Sequence, residues 1–365
     1  MVDEAHARIH LVVLFGGESA EHDVSCTTAA HVLRAADPER YRITPVGIST
    51  EGQWALAEQA AAALLAGPDS IPGRLDPTGT DVSPTPMLAD AAASQEVTVV
   101  LPLLHGPMGE DGTVQGMLDL ANVPYVGSGV LGSAVAMDKA RAKQVLTAAG
   151  IPQARYRAFA EHEMTPALPA RLATELGLPV FVKPANMGSS VGVSKASSIE
   201  ALRDAIDHAL SYDEMIVVEE AIAGREIEVA VLGTTAPEAS VPGEIVPGEE
   251  FYSYEDKYIT DGAQLLVPAP LSDAAADDVR RLAIDTFRAL RCDGLARVDF
   301  FYEMADDGTG RGFLCNEVNT MPGFTPISMF PKLWMHSGLA YGELIDRLVD
   351  LALERHARRR RNTKR

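Results

Sequence analysis

The sequence predicts an α/β protein whose first domain is built on a parallel sheet. Two observations carry that class. Apolar, β-branched runs alternate with helical stretches from the start of the chain, and after Pro152 the composition shifts towards short strands joined by small polar loops. A third observation sets the scale. A chain of 365 residues, 47% hydrophobic and 22% charged, suffices for two or three domains with their own cores.

Lysines and arginines number 31 against 51 aspartates and glutamates, a net charge of −20. Such a surface repels nucleic acid and anionic membrane, so positive charge at a site has to be placed residue by residue. Cys26, Cys292 and Cys315 are scattered without metal-ligand spacing and fit buried thiols in a reducing cytoplasm. No apolar run approaches a membrane span, and the acidic N-terminus carries no signal sequence. The arginine-rich end from Arg355 to Arg365 reads as a solvated tail.

In chain order, Ile9 to Phe15 is a buried strand, turned by Gly16-Gly17 and followed by a helix from Val24 to Ala36. Tyr41 to Ile48 completes a right-handed βαβ unit. Glu21, His22 and Asp23 lie in the connecting loop, where ligands of open α/β sheets sit, although acids there also suit a helix start. Ala55 to Asp90, rich in alanine, proline and glycine, gives no reading. Val97 to Leu104 is another strand, and it runs through His105, Glu110 and Asp111 into a helix from Val114 to Ala121. Glycines among a histidine and two acids predict a rigid site loop, with Glu110 and Asp111 also readable as helix-start acids.

Gly127 to Gly132, GSGVLG, matches the dinucleotide fingerprint. It does not follow the first strand, however, and Pro152 stands where the ribose-binding acid belongs. No GxxxxGK occurs either, so a nucleotide has to be held without a P-loop. Asp138 caps a helix from Lys139 to Ala149. A lysine at the first helical position opposes the dipole, which makes sense if both face an anion.

Pro179 to Lys183 and Val191 to Lys195 read as strands around the small polar loop Pro184 to Ser190. Its N–H groups can close over phosphates, and Lys183 reaches the same anion. Ser197 and Glu200 form a capping box for the helix to Leu210. Met215 to Ile222 and Glu226 to Leu232 are strands, the first with a carboxylate and backbone groups for an adenine edge, the second with Glu226 for ribose hydroxyls. Phe251 to Tyr258 lies in a long irregular segment of the kind that forms lids, with Lys257 and Tyr258 as its reactive side chains. Ser272 caps a helix to Leu290.

The chain is organised around a hairpin of Arg297 to Met304 with Gly312 to Val318. Symmetry about Gly308 sets Asp299 opposite Glu317 and Arg297 opposite Asn319, all on one face. Oxygen ligands without histidine or thiolate select a hard divalent cation, magnesium first. The plain alternative is a surface salt bridge. Separated lysines, a Gly/Ser loop, this acidic face and the adjacent arginine together describe a phosphoryl-transfer site.

The motifs FGGESAEHDVS, HGPMGEDGTVQG, MDK, VKPANMGSSVGVSK, YSYEDKY, ARVDFF and NEVNTMPGFTPISMFP occur in this order. With them the chain resembles the D-alanine–D-alanine ligase family of the ATP-grasp superfamily, from about Ile9 to about Leu351. The resemblance implies an N-terminal α/β domain (1–137) followed by an ATP-grasp fold of two α+β subdomains. These are a central one (138–232) and a C-terminal one with lid and metal site (233–355), ahead of a basic tail (356–365).

It also implies roles. Glu21 would bind the ammonium of the first D-alanine, with His105 nearby. Lys139, Lys183 and the loop serines Ser189 and Ser190 would hold ATP phosphates, and Lys257 would reach the γ-phosphate from the lid. Glu219 and Ile222 would take the adenine, and Glu226 the ribose. Asp299, Glu317 and Asn319 would bind two Mg²⁺ ions, with Mn²⁺ as a substitute. Arg297 and the N–H of Gly323 would stabilise an oxyanion, and Ser328 with the Met329 N–H would bind the second carboxylate. Ser189, Tyr258 and Glu21 would form one hydrogen-bonded set. Met187 stands where relatives often carry an acid.

The expected function is ATP-dependent joining of two D-alanines through a D-alanyl phosphate, for peptidoglycan synthesis, by a cytoplasmic homodimer that binds neither nucleic acid nor membrane. Alternatives are a D-alanine:D-lactate or D-alanine:D-serine ligase, another ATP-grasp ligase, a non-catalytic nucleotide sensor and, on GSGVLG, a dehydrogenase.

Overall fold

The computed structural model describes residues 8–247, 264–304 and 309–359. Its first sheet comprises β1 (Ile9–Gly16), β2 (Tyr41–Ile48), β3 (Trp54–Leu56), β4 (Thr80–Asp81) and β5 (Thr98–Pro102), in the order β4-β3-β2-β1-β5. β1 lies parallel to β2 and β5, and Leu11 to Phe15 are buried because the strand is covered on both faces. At the end of β1 the chain turns on Gly16, where a Cβ would stand 2.2 Å from the Ile48 carbonyl oxygen. The helices here are α1 (His22–Ala35), α2 (Glu58–Ala66), α3 (Pro84–Ala93), α4 (Thr113–Leu120) and α5 (Val130–Met137). The stretch Ala55 to Asp90, opaque in sequence, holds α2, β4 and most of α3. Only Ala60 of α2 is buried, so the helix never develops an apolar stripe.

The GSGVLG stretch carries α5. Its Gly132 packs so tightly on the turn at Arg291 that a Cβ would lie 2.5 Å from that carbonyl oxygen. Close packing explains the glycine without a nucleotide.

The second sheet is antiparallel, in the order β6-β9-β7-β8. It follows α6 (Lys139–Ala148) and contains β6 (Tyr156–Ala160), β7 (Val180–Pro184), β8 (Ser194–Ala196) and β9 (Met215–Glu220). One face is covered by α7 (Leu168–Leu176) and α8 (Ile199–Leu210). The expected capping box is one residue out. Ser198, with extended backbone angles of φ −141° and ψ 164°, is the N-cap and accepts from the Ala201 N–H at 3.1 Å. Glu200 is then an acid in the first turn rather than a box partner.

The third sheet holds β10 (Arg225–Gly233), β11 (Glu238–Ala239), β12 (Gly243–Val246), β13 (Gln264–Leu266), β14 (Gly294–Glu303) and β15 (Gly312–Asn319). Its path is β13-β12-β10-β14-β15, with β11 on β10 and α9 (Asp273–Ala289) packed across it. The chain closes with α10 (Met329–His336) and α11 (Tyr341–Arg359). Phe324, Phe330, Trp334, Leu344 and Leu348 share one core with Leu11, Val13 and Leu33, so the C-terminal helices pack on the first sheet.

The expectation of a solvated basic end is corrected as far as Arg359, where α11 ends. Arg355 is buried, its guanidinium 3.9 Å above the Tyr125 ring, while Arg358 pairs with Asp293 at 2.6 Å and Arg359 with Asp119. No helix of the described residues is long and apolar enough to cross a membrane.

Candidate functional site

The β14–β15 hairpin places its polar face as the alternation predicts. Arg297 lies opposite Asn319 and Asp299 opposite Glu317. Nearer the turn the pairing is one residue out of step, with Phe300 against Cys315 and Glu303 against Gly312. A bulge between the two regions absorbs the difference and leaves Asn316 as the extra residue. The site-side register therefore holds because a shifted turn and a bulge cancel. The turn residues Asp306, Asp307 and Gly308 lie outside the described residues.

Arg297 donates from Nε and Nη2 to the two oxygens of Asp299, at 2.8 Å each, and lies 3.0 Å from Glu228. Burial disfavours its charge, but Asp299 and Glu228 hold it firmly protonated. Glu228 was not foreseen. It lies opposite Asp299 on β10, two residues from Glu226 and so on the same face. Asn319 donates from Nδ2 to Asp299 Oδ2 at 3.0 Å, which leaves its amide oxygen as the free ligand type.

These donors fit a hard divalent cation. They are oxygen-only and set on directly opposed strands. A few carboxylates completed by substrate phosphates is the usual arrangement for magnesium.

Facing the hairpin across a cleft of about 680 Å³ is the Gly/Ser loop. Lys139, Lys183, Ser189, Ser190, Glu219, Ile222, Glu226, Arg297, Asp299 and Glu317 all line this cleft. Ser189 and Ser190 adopt left-handed backbone angles, φ 51° and 59°, which turn the loop over the cleft. Lys139 starts α6 behind the Asp138 cap and donates from Nζ to the Met187 carbonyl at 2.5 Å. Burial lowers its pKa, partly offset by Glu317. Lys183 donates to Asn316 Oδ1 at 3.1 Å and lies 3.4 Å from Glu219, whose other oxygen is 3.3 Å from Lys143. Burial pushes Glu219 up, yet Lys143 and Lys183 together hold it below its usual value.

The remaining residues stand on the first-sheet side. Glu21 is the N-cap of α1, and its Oε2 lies 3.5 Å from where a Cβ on Gly188 would stand, so the first loop meets the Gly/Ser loop beside Ser189. His105 donates from Nδ1 to the Met321 carbonyl at 3.0 Å. Glu110, part of the expected site loop and also readable as a helix-start acid, is buried and accepts from the Gly106 N–H at 2.6 Å and the Met321 N–H at 3.2 Å. Burial and the nearby Glu21 charge push it up to about 8. His105 and Glu110 thus grip the Met321 backbone, two residues from Asn319 and two from Gly323. Gly323 packs against Ser328, which precedes α10 and whose hydroxyl meets Thr325 at 2.8 Å. Met329 opens α10 and is buried. Lys257 and Tyr258 lie outside the described residues.

Sequence reasoning missed Lys143, Glu228, Asn316 and the bridging role of Glu110. The first two carried a signal, one helical turn from Lys139 and one strand period from Glu226.

The match to known proteins runs nearly the length of the chain. Residues 10–128 match the family described as D-ala D-ala ligase N-terminus and residues 145–350 the one described as D-ala D-ala ligase C-terminus. A D-alanine–D-alanine ligase of Geobacillus thermodenitrificans is 48% identical over 94% of this chain and 95% of its own length. D-alanine–D-alanine ligase A of Bradyrhizobium diazoefficiens is 49% identical over 96% and 97%. Among solved structures, the D-alanine-D-alanine ligase of Coxiella burnetii superposes with a TM-score of 0.80 at 34% identity, covering 97% of this chain and 96% of that one. The VanG D-Ala:D-Ser ligase of Enterococcus faecalis gives 0.79 at 32%, covering 94% and 99%.

Proposed function

The chain belongs to the D-alanine–D-alanine ligase family, and from that premise we propose how its residues divide the work. The protein is an ATP-dependent ligase that joins two D-alanines and requires a divalent metal. The observation that carries the residue assignment is the opposition of Asp299 and Glu317, with Arg297 beside them, at one wall of a cleft whose other wall holds Lys139 and Lys183.

A carboxylate is too poor an electrophile for an amine to attack. The first D-alanine is therefore converted to an acyl phosphate, with its ammonium against Glu21 and His105 nearby. Lys139 and Lys183 hold the ATP phosphates by exchanging their present partners, the Met187 carbonyl and Asn316, for phosphate oxygens. Ser189 and Ser190 close the loop over them. Glu219 and the Ile222 backbone take the adenine, and Glu226 the ribose. Asp299, Glu317 and Asn319 hold two Mg²⁺ ions, replaceable by Mn²⁺, and when bound these neutralise charge on the transferring group.

The amine of the second D-alanine, held by its carboxylate at Ser328 and the Met329 N–H, then attacks the acyl phosphate. Arg297 and the Gly323 N–H receive the oxyanion, which collapses to the dipeptide as the acyl C–O bond breaks and inorganic phosphate leaves. Lys257 and Tyr258 complete the site from the lid, which keeps water off the acyl phosphate. The three-part division at 137/138 and 232/233, a homodimer and a cytoplasmic location complete this reading, which suits an enzyme supplying peptidoglycan synthesis.

Phosphate release and product analysis with ATP, Mg²⁺ and D-alanine, in competition with D-lactate or D-serine, test it. D-alanyl-D-alanine should dominate near neutral pH. A product dominated by the ester or by D-alanyl-D-serine would overturn the second-substrate assignment.

A further inference from the structure

Lys143 sits one turn along α6 from Lys139 but does not line the cleft. It is buried behind the cleft wall, its Nζ 5.2 Å from the Tyr156 ring centre and 3.3 Å from Glu219 Oε2. Glu219 stands on β9, the central strand here, paired with Tyr156 of β6 and Phe181 of β7. Its two oxygens are divided, Oε2 towards Lys143 and Oε1 towards Lys183 at 3.4 Å. Oε1 is buried and accepts no aligned hydrogen bond among the described residues, so it has acceptor capacity to spare.

Lys183 is claimed twice. It pairs with Glu219 and Asn316, and it is also placed to hold phosphate. A lone buried carboxylate whose only cation departs takes a proton or moves, because desolvation disfavours its charge. We infer that Lys143 is a positioning residue that holds the Glu219 carboxylate as an acceptor from behind the cleft wall, so that Lys183 can leave Glu219 for a phosphate. Lys143 thereby sets which base the cleft prefers. An ionised carboxylate accepts from the 6-amine of adenine and repels the 6-oxo group of a hypoxanthine base, whereas a protonated one donates to it. This rests on Glu219 as the adenine acceptor, and the experiment separates the two claims.

The ratio of kcat/KM for ATP to that for inosine triphosphate is measured on the full-length enzyme with D-alanine and Mg²⁺. Glu219→Gln, able to accept or donate, should lower the native ratio by about 10-fold or more, the scale of one hydrogen bond to a charged group. Lys143→Met should lower it similarly, and Lys143→Met combined with Glu219→Gln should lower it no further than Glu219→Gln alone. If Lys143→Met does not fold, Lys143→Gln is close in length, lacks the charge and reads the same ratio. A purely structural Lys143 would lower the melting temperature and leave the ratio at its native value, which overturns the inference while Glu219→Gln still upholds the adenine reading. A native ratio in Glu219→Gln overturns both.

Discussion

Arg297 holds both oxygens of Asp299 in a two-pronged grip, each bond 2.8 Å long. The same guanidinium lies 3.0 Å from Glu228, and all three side chains are largely buried. Arg297 therefore balances two carboxylates that would otherwise repel each other, one of them a proposed metal ligand. Replacing it with methionine should cost about 3–5 kcal/mol of stability without metal, the usual penalty for stranding buried charge. Mg²⁺ should raise the melting temperature of Arg297→Met by more than it raises the native one, since the cation takes over the neutralisation. Thermal melts with and without Mg²⁺ check this, and equal shifts in the two proteins would count against it.

Glu110 gives the fold a pH dependence. Its pKa is raised to about 8 in the folded chain, so the folded state holds the proton more tightly than the unfolded one. The stability this contributes is complete below the ordinary carboxylate range and is lost as pH rises towards about 8. The melting temperature of the native protein relative to Glu110→Gln, which cannot titrate, should fall over that window. A constant difference would show that Glu110 does not change charge there.

Glu220 joins the two walls of the cleft. It accepts from the Arg155 N–H at 2.8 Å and from Arg155 Nε at 2.7 Å, while Arg311 reaches it from the hairpin at 2.5 Å. Arg311 is substantially exposed, so its contribution to stability should stay within about 1 kcal/mol. Arg311→Met should leave kcat nearly unchanged, because Arg155 still holds Glu220. A loss of turnover beyond about 10-fold would mean that the bridge governs closure of the cleft.

The hairpin face was legible because strand side chains alternate with period two, and the opposed pairs follow from where the turn residues fall. The bulge at Asn316 was not, since nothing in NEVN distinguishes a bulged residue from a paired one. Acids near a helix start satisfy the dipole in any protein, so Glu110 gave no sign of bridging to Met321, 211 residues away. Lys143 escaped because a lysine within a helix is ordinarily exposed, and Glu219, which receives it, is remote in sequence. The arginines at the chain's end looked solvated because Asp119, Tyr125 and Asp293, which receive them, are remote in sequence. Lys257 and Tyr258 fall outside the described residues, and their roles rest on the resemblance alone.

The central claim is that the face shared by Asp299 and Glu317 carries the chemistry, and Glu317→Gln tests it most directly. The substitution keeps the shape of the side chain and removes its charge. The steady-state kcat at saturating ATP, D-alanine and Mg²⁺ should fall by at least ~3 kcal/mol in transition-state stabilisation, more than about 100-fold, while the melting curve shows a folded protein. Near-native turnover at the same Mg²⁺ concentration would contradict the account.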